Sequence, residues 1–141
     1  TEDEEQLLMV RCGEQLFGIA VVMVRDVLKP QKITEIPLSK PEILGFMNLR
    51  GQIVTVIDMN KRLNSVKQAE NKKEMFVVVE SEDDLYALKV DMVGETKKLP
   101  LRDFEKNPDN MIEGWKNLSR GVFKMNKEIM VVLDINNFVD F

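Results

Sequence analysis

The sequence predicts a mostly β chain folded as two packed, related small-barrel lobes with a few short helices. Three observations lead there. The chain repeats itself: Leu16-Phe17-Gly18-Ile19-Ala20-Val21-Val22-Met23-Val24 lies over Leu85-Tyr86-Ala87-Leu88-Lys89-Val90-Asp91-Met92-Val93. A second block, from Gly45-Phe46-Met47 through Ile53 to Asn60, lies over Gly121-Val122-Phe123 through Ile129 to Asn136, in the same order. The apolar runs are short and rich in β-branched residues, and no long amphipathic helix interrupts them.

Leu7-Leu8-Met9-Val10, a turn at Gly13-Glu14 and Leu16-Phe17-Gly18-Ile19 read as a hairpin. Pro41 suits the first position of a short helix, Pro41-Glu42-Ile43-Leu44. Ile53 to Ile57 is a continuous β-branched run, apolar but for Thr55, expected to be a strand buried on both faces. Asp58 then stands as the N-cap of a short helix. Residues 64–73, nearly without apolar side chains, read as the link between lobes. The second lobe repeats the plan with Met75-Phe76-Val77-Val78-Val79, an acidic turn, and Leu85-Tyr86-Ala87-Leu88. Its extra residues fall in the loop-rich stretch 100–115, before the strand Ile129 to Leu133 and the N-cap Asp134. The expectation is one domain over 1–141, with lobes at approximately 13–66 and 74–134 and terminal segments completing them.

Composition narrows the function. At 141 residues and 16.3 kDa, with 44% hydrophobic residues, the chain can bury a core without staples. Histidine is absent, which removes the commonest general base and metal ligand. No glycine-rich phosphate loop, cysteine pair or nucleophile elbow is present. The single Cys12 reads as a buried strand residue, which fits a reducing, cytoplasmic setting. No run approaches the ~18 apolar residues of a membrane span. The acidic opening is the reverse of a signal peptide's, and a chain opening on Thr1 is expected to have a trimmed N-terminus. A net charge of −4 and 6% aromatic residues argue against a nucleic-acid binder. Lys97, Lys98 and Arg102 form a local basic group whose plain reading is solvated surface.

Asp58 and Asp134 each follow a strand, where a phospho-accepting aspartate would sit, but the alternation of strands and full helices that such a fold needs is missing. Glu80, Glu82, Asp83 and Asp84 lack the spacing and glycine of a calcium loop and read as a solvated hairpin tip. Most of the nine methionines, with Trp115 and Tyr86, read as packing residues. The segment Gly45-Phe46-Met47-Asn48-Leu49-Arg50-Gly51 stands out. It presents Arg50 on a sharp turn that Gly51 permits, and a planar guanidinium is a good partner-reading group. An exposed turn with a stray charge is the alternative.

Ile33-Thr34-Glu35-Ile36-Pro37, Pro41, Ile43-Leu44-Gly45, Asn48-Leu49-Arg50-Gly51 and Val54-Thr55-Val56-Ile57-Asp58 resemble the signature of the CheW family, the coupling proteins of bacterial chemotaxis. The resemblance runs from Leu7 to Phe138. It implies two packed, five-stranded SH3-like barrels and a cytoplasmic, non-catalytic scaffold without cofactor or metal, associated with membrane-bound receptor arrays. Its implied partners are the regulatory domain of the histidine autokinase CheA, joined lobe against lobe, and the cytoplasmic tip of methyl-accepting chemoreceptors, docked in an apolar groove near the lobe junction. Contact with the membrane is implied only through receptors, and weak self-association within arrays. Arg50 matches the family's coupling arginine. Val24, Asp26 and Val27 fall on its contact stretch, and Gly45, Asn48, Leu49 and Gly51 match the framing of the turn. Asp26 stands where Glu is usual, and Thr55 where Pro is common. The same likeness leaves open a coupling domain cut from a CheV-type or CheA protein; an aspartate phosphoacceptor is the reading from another class.

Overall fold

A computed structural model describes residues 3–37, 40–64 and 73–141. Most of the expected link at 64–73 lies outside the described residues. The chain opens with the hairpin β1 (Glu4–Cys12) and β2 (Gln15–Ala20), closed by Cys12 opposite Gln15. A 3-10 turn at Val21–Met23 leads into β3 (Val24–Leu28). A second hairpin, β4 (Ile43–Leu49) and β5 (Gln52–Asp58), runs into α1 (Met59–Arg62). The second half follows with β6 (Met75–Ser81), β7 (Asp84–Val90), β8 (Met92–Pro100), β9 (Phe104–Glu105), β10 (Ser119–Lys124), β11 (Ile129–Leu133) and α2 (Ile135–Phe138).

The expected mostly β architecture is present as a six-stranded sheet, β8-β1-β2-β11-β10-β9, and a five-stranded sheet, β3-β6-β7-β5-β4. The first exceeds the expected five strands by the two-residue β9. The sheets do not follow the halves of the repeat, so they divide the chain differently from the expected lobes at 13–66 and 74–134. The β1–β2 hairpin joins the later strands through a parallel pairing of β2 with β11, Leu16 opposite Met130. The β6–β7 hairpin joins the earlier strands through β5, Thr55 opposite Tyr86. Each half thus lends its hairpin to the other.

Three apolar clusters explain the unbroken runs. Successive strand side chains point to opposite faces. On β6, Phe76 and Val78 fill the interior of the five-stranded lobe, while Val77 and Val79 face a core shared by both lobes. On β11, Met130 and Val132 fill the six-stranded lobe, while Val131 and Leu133 face the shared core. The run from Ile53 to Ile57 departs from its expected two-sided burial: Val54, Val56 and Ile57 are buried, but Ile53 is 69% exposed.

Asp58 and Asp134 cap the two short helices as expected, accepting hydrogen bonds from the Lys61 and Asn137 amides. Each helix reaches the other lobe. Asn60 donates to buried Asp91, which also accepts the Gly13 amide, and Ser81 donates to Asn136. Trp115 packs on Phe17 and donates to the Leu63 carbonyl at 2.8 Å, pinning the long loop to the end of α1. The helix expected after Pro41 is absent. Pro41 instead occupies the second position of a turn in which the Ile43 amide donates to Lys40, and Ile43 and Leu44 enter β4. The fixed φ of proline suits both settings, and pairing of Ile43 with Ile57 decides between them.

Candidate partner-binding site

The β4–β5 hairpin closes through Leu49 opposite Gln52, leaving Arg50 and Gly51 as a two-residue loop. Both have positive φ, 50° and 86°. That pattern matches a type I′ turn, whose twist suits the flanking strands. Glycine adopts this backbone freely, whereas Arg50 holds it at a steric cost of about 1 kcal/mol. Asn48 braces the loop, its Oδ1 accepting the Gly51 amide at 2.9 Å.

Arg50 Nη2 lies 3.1 Å from Asp26 Oδ2. The other Asp26 oxygen accepts the Val27 amide at 2.9 Å, so the carboxylate is fixed from two sides. Arg50 is 78% exposed and its partner 24%, a pairing that contributes little stability in water. Its effect is positional: a guanidinium has five donors, and the contact with Asp26 steers the fork while engaging one nitrogen. Asp26 stands on β3, which among the described residues is an edge strand paired only with β6. A bulge between Val24 and Asp26 breaks the register there, and such bulges re-aim side chains at sheet edges. The outward Arg25 reaches Glu80 at 3.4 Å.

The structure therefore brings Asp26, Leu49 and Arg50 to one surface recess, together with Arg25 and Glu80. Val24 and Val27 lie on the same strand, half-buried against the shared core. Asn48 and Gly51 frame the turn. Gly45 stands apart. It is buried at a bulge in β4, where any Cβ would collide with the Thr34 carbonyl; Thr34 and Phe46 exchange backbone hydrogen bonds there. Its position makes it a crossing point for the chain and keeps it off the surface.

Of the exposed apolar residues, those on the β4–β5 hairpin and just before β3 bear on this site and were not anticipated. Phe46 and Ile53, 39% and 69% exposed, line a recess on the outer face of the same hairpin beside Thr34 and Asn48. Val22, 80% exposed, projects from the 3-10 turn just before β3. The alternation of exposed Phe46 and Asn48 with buried Met47 marks the outer face of β4 in the sequence. No comparable signal distinguishes Val22 from Val21.

The Asp58 and Asp134 carboxylates are engaged at the first turns of their helices. The acidic hairpin tip is an exposed turn with Glu82 and Asp83 at positive φ. Among the described residues no three His, Cys, Asp or Glu side chains group to hold a metal, and no helix is long and apolar enough to cross a membrane.

The CheW-like domain family is matched over residues 6–140. The chain is 24% identical over 139 residues to a protein of Treponema pallidum named chemotaxis protein CheW, covering 96% of this chain and 82% of that one. It is 25% identical over 137 residues to the Thermotoga maritima protein of the same name, covering 97% and 89%. The crystal structure of the scaffolding protein TtCheW from Thermoanaerobacter tengcongensis superposes with a TM-score of 0.89 at 26% identity, covering 99% of this chain and 94% of that one.

Proposed function

The chain belongs to the CheW-like domain family, a family of chemotaxis scaffolds, and from that premise we propose that it couples transmembrane chemoreceptors to the histidine autokinase CheA. The observation that carries this reading is Arg50, held in a strained turn and aimed by Asp26 beside an open sheet edge. Strain of that kind persists where function requires a geometry that local energetics disfavours.

The regulatory domain of the kinase docks on the five-stranded lobe, where β3 is an edge strand among the described residues, Asp26, Leu49 and Arg50 line the recess, and Val24 and Val27 flank Asp26 on the same strand. Asn48 and Gly51 serve by holding the turn, and Gly45 by setting the bulge behind it. The receptor tip docks beside the lobe junction, where exposed Val22 offers an apolar contact. The chain works in the cytoplasm, reaches the membrane through receptors, and adds no catalytic group. It fixes geometry and shifts the populations of kinase states by no more than the difference in its binding free energy between them.

Calorimetric titration with the isolated CheA regulatory domain tests the kinase half. Saturable binding at micromolar levels, weakened at least tenfold by Arg50→Glu and little by Val22→Asp, is expected. Undiminished binding by a folded Arg50→Glu variant would remove Arg50 from the interface. Absence of binding would sink the kinase coupling itself.

A further inference from the structure

Between β1, β8 and the β10–β11 hairpin, the six-stranded lobe opens into a cavity of about 850 Å3, within the size range of ligand pockets. Its walls include Met9, Met92 and Met125, and beneath them lies the small core of that lobe. Methionine is unbranched and polarizable, so a wall of it adapts to differently shaped apolar groups. The rim is basic, with Arg11 from β1, Lys97 from β8, and Lys124 and Lys127 from the hairpin. In a chain of net charge −4 this is a local reversal of sign.

Glu128 is the carboxylate among the lining residues, and Arg11 takes both its oxygens, Nη1 to Oε1 at 3.0 Å and Nη2 to Oε2 at 2.6 Å. The pairing keeps the Glu128 carboxyl below the usual range and raises Arg11. Glu105 partly offsets Lys124 at 3.6 Å, while Lys97 and Lys127 have no ion-pair partner among the described residues.

We propose that this mouth docks an acidic peptide segment of a partner protein, which inserts an apolar side chain among the methionines and lays its carboxylates on the rim. The cations come from three separate elements around the opening, so several carboxylates match them better than the single head of an amphiphile. A peptide carboxylate competes with Glu128 for Arg11. The site lies on the other sheet from Arg50 and does not depend on the coupling role.

The test is titration of the full chain, with its methionine methyls isotope-labelled, by a short peptide of glutamates flanking a central Leu-Phe pair. Expected are saturable shifts at Met9, Met92 and Met125 with Met47 and Met59 unmoved, and an affinity that falls with salt. The paired change Lys97→Glu with Lys127→Glu should weaken binding at least tenfold, and Glu128→Gln should tighten it by freeing Arg11. Equal binding by a peptide with Ala-Ala at the centre would overturn the apolar insertion. Shifts produced by laurate below its micelle concentration, with the peptide silent, would replace the peptide by a small amphiphile. No shift from either would remove the site.

Discussion

Arg50 illustrates how a residue can cost stability and still be kept in place. Its left-handed backbone and exposed ion pair contribute little to folding, so Arg50→Gly should hold the urea midpoint or raise stability by up to ~1 kcal/mol. The same variant should lose kinase binding; unchanged binding would mean that the turn, and not the guanidinium, is recognised. Gly45→Ala should behave oppositely, costing about 3 kcal/mol or more in chemical denaturation because a Cβ cannot pass the Thr34 carbonyl. Burial pushes the Cys12 thiol up to about 12. The unfolded chain loses that proton above about pH 8.5, so this contribution to stability is complete below that pH and is lost as pH rises toward 12. Alkylation at pH 8 should accordingly be slow in the folded protein and fast in urea. Arg50 and its turn were legible from the glycine and the charge. The pairing with Asp26 was not, because 24 positions separate the two and nothing local links them; Asp26 itself stood out only through family likeness.

At the scale of elements, the hairpins and caps were legible because their determinants are adjacent in the chain. Gly13 with Glu14 turns β1 into β2, and Asp58 and Asp134 sit directly before the helices they cap. Asp58→Ala and Asp134→Ala should each cost about 1 kcal/mol in thermal or urea unfolding, with Asn at either site restoring most of it. Pro41 misled because its φ suits a helix start and a turn alike, and only the cross-strand pairing of Ile43 separates them. Ile53 misled because a run of β-branched residues does not by itself mark which side chain faces outward. The side is set by the neighbouring strands, β4 and β7, and by the depth at which β5 leaves the core.

For the whole molecule, the repeat disclosed two lobes but not the exchange of hairpins between them. Pairing β2 with β11 joins residues more than a hundred positions apart, and local pattern does not encode a choice among equally apolar strands. The exchange, with a core drawn from both sheets, should make unfolding a single transition. Leu88→Ala, deep in that core, should shift probes in both lobes together, whereas separate midpoints would show independent lobes. A rigid pair of lobes is what a coupler needs to hold two partners at a fixed spacing. The most direct test of that role is co-sedimentation of CheA with receptor-bearing vesicles, with and without this chain. The expected result is kinase in the pellet only when the chain is present, and much less with Arg50→Glu. Equal kinase in the pellet without the chain, or chain in the pellet that never brings kinase with it, would contradict the coupling role.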